Sequence, residues 1–182
     1  MLCSTDRQIW TPAVAALALA RYGGGYCHEL NSVFLSEINS AGLSAKPVLA
    51  TVKYGKQMDA AVRSHLVLVT ELQGTTYLSD IGFGYGTIWP LRLDRIGIVQ
   101  RQHRLSFMVN ESESGYLVRL NHKIGWIDLY HFSLDEASPN QMAEANLFSS
   151  ISPKSLLSSN LVASAYTRGG RRVLINTKYK YK

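Results

Sequence analysis

His65-Leu-Val-Leu-Val-Thr-Glu-Leu-Gln-Gly-Thr-Thr-Tyr-Leu-Ser-Asp-Ile-Gly-Phe-Gly84 is the stretch that decides the fold. β-Branched and aromatic residues fill both halves, and Gln73-Gly74 between them is turn chemistry. His65–Leu72 and Thr75–Phe83 therefore read as the two strands of an antiparallel hairpin. With a two-residue turn the pairing runs back from Leu72 opposite Thr75, so Asp80 faces Val67 and lies diagonal to His65 on the same face. The two side chains can then meet. A shift by two residues sets them directly opposite, whereas a slip by one sends them to opposite faces.

Working outward, Pro47–Tyr54, Arg104–Asn110, Tyr116–Leu120 and Trp126–Phe132 repeat the strand pattern, with a turn at Glu111–Gly115. The region reads as an antiparallel sheet or small barrel. Upstream the period changes to that of a helix: Cys27–Asn39 carries Leu30, Phe34, Leu35 and Ile38 on one stripe, fed by Gly23-Gly24-Gly25 and ended by Gly42. Ala13–Ala20 has the superficial form of a signal-peptide core, but Thr11-Pro12 reads better as the N-cap and first residue of a short helix that stops at Gly23. Downstream, Ser138-Pro139-Asn140-Gln141 is a capping box that opens a helix over Pro139–Phe148. Leu161–Tyr166 and Arg172–Ile175 flank Gly169-Gly170 as a hairpin. The expected fold is α+β, a cysteine-bearing helix packed on an antiparallel sheet or small barrel in the manner of a papain-like thiol-triad core. Its expected divisions are a partial helical segment over 1–43, a β-barrel over 44–134 and a partial α/β lid segment with a basic tail over 135–182.

Composition narrows the function classes. With 182 residues, 46% of them hydrophobic and only 18% charged, there is material for a core and too little charge for disorder. No run approaches the ~18 apolar residues of a membrane helix. The net charge of +6 is a local matter, because Arg168, Arg171, Arg172, Lys178, Lys180 and Lys182 crowd the last residues without an acid, and the rest of the chain is balanced. A nucleic-acid binder spreads positive charge along a face, so no nucleic-acid or membrane partner is expected. Two cysteines, Cys3 and Cys27, do not make a disulfide framework, and a reducing, cytoplasmic setting fits best.

The residue best placed for chemistry is Cys27, where a glycine-rich loop feeds a helix. Unpaired N–H groups at a helix start favour negative charge and hence the nucleophilic thiolate. The bland alternative is a small buried apolar residue, which is also the reading of Cys3. A thiolate needs a base, and the base needs an orienting group. His28 points about 100° away from Cys27 on the helix. His103, His122 and His131 lie near strand or turn ends with no acid in support. His65 is set apart by Asp80, which can hold the imidazole tautomer and stabilise imidazolium.

Gly24-Gly-Tyr-Cys-His-Glu-Leu-Asn31 resembles the arylamine N-acetyltransferase signature Arg-Gly-Gly-x-Cys-x-Glu-x-Asn. His65-Leu-Val-Leu-Val69 and Tyr77-Leu-Ser-Asp-Ile-Gly-Phe-Gly84 resemble that family's histidine strand and its Asp-Val-Gly-Phe-Gly segment, in the same order and at the intervals of bacterial members. The similarity continues through Pro90-Leu91, Trp126–Phe132 and Pro153-Lys-Ser155 to about Asn176. The resemblance implies Cys27 as the acetyl-accepting nucleophile, His65 as its base, Asp80 as the orienting acid and Phe83 as an aromatic wall of the acceptor pocket. It implies acetyl-CoA as donor, an arylamine, hydrazine or N-hydroxyarylamine as acceptor, a ping-pong order and no metal. It does not indicate which residues bind the coenzyme.

The sequence departs from that pattern in two places. Gly23 stands where the signature has arginine, and Arg21 replaces it only if the loop is rearranged. The family's opening helical segment with its Pro-Phe-Glu-Asn element and its closing lid region are not present in full. A shortened member is expected, with coenzyme A affinity suffering more than triad geometry. Two other classes remain at this point: an amide synthase or a transglutaminase- or papain-like thiol amidase with the same triad, and a folded remnant that catalyses nothing.

Overall fold

Residues 12–54 and 62–181 are described by the computed structural model; the expected Thr11 cap and Cys3 lie outside them. Two helices open the chain, α1 (Pro12–Tyr22) and α2 (Cys27–Ser40). Eight antiparallel strands follow: β1 (Ala45–Val52), β2 (His65–Leu72), β3 (Thr75–Ser79), β4 (Leu91–Arg92), β5 (Gln100–Gln102), β6 (Leu105–Ser112), β7 (Gly115–His122) and β8 (Gly125–Phe132). They form one sheet in the order β4-β3-β2-β1-β8-β7-β6-β5. Helix α3 (Pro139–Ile151) and the short α4 (Leu156–Ser159) lead to a separate three-stranded sheet of β9 (Val162–Thr167), β10 (Gly170–Ile175) and β11 (Lys178–Tyr181).

The β2–β3 register is the expected one, running from Leu72 opposite Thr75 to Leu68 opposite Ser79. The second strand is shorter than its sequence pattern, ending at Ser79 rather than Phe83. Its cause is local: the Asp80 carboxylate turns back to accept the Gly82 N–H at 2.9 Å, an Asx-type turn that takes the backbone off the ladder. Strands β4 and β5 were not anticipated, because two or three residues are too few to show a period. Nor was β11, whose alternating Lys178, Tyr179, Lys180 and Tyr181 pair with β10 where a solvated tail was expected. Helix α3 also runs past Phe148 to Ile151.

The sheet curls until its two edges nearly meet, and side chains complete the closure. Gln100 exchanges hydrogen bonds with the backbone N–H and carbonyl of Arg92, at 2.9 Å each, as a facing strand would. Gln102 accepts from the N–H groups of Ile88 and Trp89 and donates to the Trp89 carbonyl. Both edges are thereby protected from pairing with another chain. Inside lie Val48, Ala50, Val67, Val69, Leu78, Phe107, Val109, Val118, Leu120, Tyr130 and Phe132. Strand β2 is buried on both faces: its odd positions point into the barrel, while Leu66 joins Leu49, Ala137 and Ala145 in a smaller cluster outside it. Helix α2 packs against β1 and β2, which brings the first turn of α2 against the start of β2.

Candidate active site

Helix α2 begins at Cys27, after Tyr26 in extended conformation. The Glu29 carboxylate accepts the Tyr26 N–H at 3.0 Å, fixing the entry to the first turn from a residue three positions on. The Tyr26 hydroxyl donates to Asn146 Oδ1, tying this entry to α3. Cys27 is 6% exposed. Burial alone fits the apolar reading equally well; its neighbour distinguishes the two, because His65 lies close enough for the thiol to favour the charged imidazole.

His65 opens β2 and Asp80 directly follows β3, so the hairpin register places them on one face, and His65 Nε2 meets Asp80 Oδ2 at 2.8 Å. With Nε2 taken by the carboxylate, Nδ1 is the nitrogen left for Cys27. The three side chains singled out from sequence are brought together, all buried. Burial by itself disfavours charge on His65, but Asp80 and then Cys27 outweigh it and push the pKa up to about 10. Burial likewise raises the Asp80 carboxyl, yet His65, Asn31 and the Gly82 N–H together hold it below the usual range. Asp80 above all favours the protonated form of the imidazole.

Sequence reasoning left Asn31 without a task, although it stands in the quoted motif. One turn after Cys27 on α2, and fully buried, its Nδ2 donates to the Leu66 carbonyl and to Asp80 Oδ1 at 3.1 Å. Its Oδ1 accepts the Ile81 N–H at 3.0 Å. One amide thus bonds the cysteine helix to the strand next to His65 and to the loop that carries Asp80. Its place in that motif and its helical spacing from Cys27 were the signals available. Phe83 packs edge-on to His65 with ring centroids 5.0 Å apart, and Tyr130 lies 5.0 Å from both rings. The Tyr130 hydroxyl is buried near Asp80 without a well-formed hydrogen bond; burial and then that carboxylate push its pKa well above the ordinary value.

The remaining histidines lie apart from this arrangement. His103 is exposed on a turn, His122 ends β7, and His131 shares its Nε2 with Ser112 Oγ at 2.8 Å. His28 is fully buried and does a different job from catalysis: its Nε2 bonds the Ser64 carbonyl at 3.0 Å, one residue before His65. Burial, followed by the opposing bond to Ser64 and the nearby His65, leaves its pKa at about 4, down from 6.5. A group kept neutral in the fold takes up its proton more readily when unfolded, so stability is lost as pH falls from 6.5 toward 4. The slope is at most about 1.4 kcal/mol per pH unit. In His28→Gln, whose Nε2 reaches the same carbonyl, urea midpoints measured across this window are expected to be flatter than in the parent; an unchanged slope removes His28 as the cause.

Chemically, the arrangement presents a sulfur nucleophile at a helix start, an imidazole that can take and return one proton, and a fixed carboxylate behind it. Among the described residues no group of three His, Cys, Asp or Glu side chains is placed to hold a metal ion, and no helix is long and apolar enough to cross a membrane.

Known proteins share this sequence pattern and this fold. The profile of the N-acetyltransferase family matches residues 1–182. An arylamine N-acetyltransferase of Escherichia coli is 27% identical over 167 residues, 91% of this chain and 59% of that protein. The structure of arylamine N-acetyltransferase from M. tuberculosis superposes with a TM-score of 0.82 at 27% identity, covering 91% of this chain and 63% of that one. The Mycobacterium marinum enzyme solved in complex with CoA superposes with a TM-score of 0.83 at 24% identity, covering 92% and 64%. The chain spans about three fifths of the length of these relatives.

Proposed function

The chain belongs to the arylamine N-acetyltransferase family, and from that premise we propose that it moves an acetyl group from acetyl-CoA through Cys27 to an arylamine, hydrazine or N-hydroxyarylamine. The observation that carries this reading is the His65 imidazole bonded to Asp80 at 2.8 Å with Cys27 beside it. With the proton on His65, the sulfur is free to attack the thioester carbonyl. The new Cys27–acetyl bond forms as the coenzyme sulfur leaves, and His65 gives that sulfur its proton. One thioester replaces another, so the step is close to thermoneutral and reversible. A serine ester lacks that balance. The acceptor nitrogen then attacks the acetyl carbon, His65 takes the proton from nitrogen, and Cys27 departs as thiolate. Because the coenzyme leaves before the amine enters, the order is ping-pong.

Backbone N–H groups of the first turn of α2, that of Cys27 among them, have no partner within the helix and are the donors nearest in sequence to the sulfur for the negative charge that develops on the carbonyl oxygen. Phe83, against the imidazole, provides an aromatic surface for the ring of the acceptor. The test is direct. Protein incubated with acetyl-CoA, without amine, is expected to gain the mass of one acetyl group on the Cys27 peptide, and a later addition of an arylamine to remove it. Cys27→Ser should show no adduct. Absence of any adduct in the parent chain, despite cooperative unfolding, defeats the proposal. Turnover of an amide substrate with no coenzyme present favours a thiol amidase instead.

A further inference from the structure

The segment from Asp80 to Trp89 carries the Asp80 carboxylate and the Phe83 ring, yet it has no regular structure and contains Gly82, Gly84 and Gly86. Glycine-rich backbone outside a ladder has many conformations to lose, so something must hold it. At its start the holder is Asn31, through the Ile81 N–H and Asp80. At its end, Gln102 takes the N–H groups of Ile88 and Trp89. The middle, where Phe83 sits, is held by the β9–β10 hairpin, from the other end of the chain.

Tyr166 on β9 and Arg171 on β10 are directly opposed across the ladder, so both project from one face. From that face the Tyr166 hydroxyl donates to the Gly86 carbonyl at 2.9 Å. The Arg171 Cζ lies over the Tyr85 ring, 3.6 Å from its centroid. Ser164, on the same face two residues before Tyr166, approaches so closely that a Cβ on Gly84 would lie 3.2 Å from its Oγ and 3.6 Å from Arg171 Nη2. Arg171 is 8% exposed, and its Nε and Nη1 have no hydrogen-bond partner among the described residues. A buried cation with no carboxylate partner among the described residues is costly, and here the face of Tyr85 supplies the compensation. Lysine cannot replace it, since an ammonium is more strongly hydrated and cannot stack as a plane.

We infer that Tyr166 and Arg171 are positioning residues, a clamp by which the C-terminal hairpin fixes Tyr85 and Gly86 and thereby sets Phe83 as the wall of the acceptor site. Cys27, His65 and Asp80 are held separately through Asn31, so the clamp governs the acceptor wall and not the triad. The kinetic part of this inference rests on the acetyl-transfer reading above.

Hydrogen exchange followed by mass spectrometry tests the clamp without requiring activity. In Tyr166→Phe and in Arg171→Lys, peptides spanning 81–87 should exchange at least tenfold faster than in the parent, with α2 and β6–β8 unchanged. Alkylation of Cys27 by iodoacetamide, read on its peptide, should stay within twofold. Arg172→Lys, exposed on the opposite face of β10, should change neither. Steady-state rates should show KM for an arylamine rising several-fold while acetylation of Cys27 keeps its rate. Unchanged exchange at 81–87, loss of protection throughout the chain, or a fall in Cys27 alkylation overturns the clamp. If the parent takes up no acetyl group, the acetyltransferase reading falls, while the exchange and alkylation data still decide the clamp.

Discussion

Asp80→Asn is expected to lower the rate of Cys27 acetylation by about 10⁴, the loss known for a triad whose histidine is held in the wrong tautomer. The hydrogen bonds explain why so small a change has so large an effect. Asp80 accepts from three donors, with Oδ1 serving Asn31 and the Gly82 N–H and Oδ2 serving His65. An asparagine can satisfy the first two with its carbonyl, which keeps the loop in place. Its amide nitrogen then faces His65 Nε2 and donates to it. The imidazole proton is forced to Nδ1, toward Cys27, and a nitrogen already carrying a proton cannot take one from the thiol. The support that brings His65 up to about 10 is also lost, so its proton leaves at a lower pH. Single-turnover labelling by acetyl-CoA measures the rate, and the imidazole C2–H resonance of His65 measures the titration. Near-parental labelling in Asp80→Asn, or a His65 titration that does not move, removes Asp80 from its assigned role.

The pairing behind that prediction was legible in the sequence because it depends on counting. Once Gln73-Gly74 is read as a two-residue turn, parity alone puts His65 and Asp80 on one face, and the observed register follows that count. Cys27 was legible for a different reason, since a Gly-rich loop followed by a helical stripe marks a helix start wherever it occurs. Parts built by long-range contact were not legible. The closure of the barrel by Gln100 and Gln102 depends on side chains standing in for a strand, and nothing in their neighbours' periodicity announces it. Asn31 looks like any polar position of an amphipathic helix until the Leu66 carbonyl and Asp80 are seen beside it. The basic end of the chain misled for a physical reason too: charge there reads as solvated tail, whereas Arg171 alternates inward on β10 and is buried against Tyr85.

Gly82→Ala is expected to disable the site as well, though by displacement and not by chemistry. A Cβ built on Gly82 would lie 2.4 Å from the Cα of Cys27 and 2.9 Å from its Cβ. Neither atom is the loose end of a flexible side chain; one is backbone in the first turn of α2. The methyl group therefore lifts the loop from the helix, and the two bonds it strains first are Asp80 to the Gly82 N–H and Asn31 to the Ile81 N–H. Overpacking of this kind costs roughly 1–3 kcal/mol, which a folded domain survives. A displacement of about 1 Å in a reacting group, by contrast, costs on the order of 10² in rate, and here the carboxylate and the sulfur move apart together. Acetylation is expected to fall by 10² or more while urea unfolding stays cooperative. Leu120→Ala, in the barrel away from the triad, provides the control: it should lose a comparable or larger ~2–5 kcal/mol of stability yet label Cys27 at nearly the parental rate. Equal losses of rate in the two variants would mean that the rate follows general stability. An unaffected Gly82→Ala would mean that the loop does not rest on the sulfur-bearing turn, and the orientation of Asp80 would then need another support.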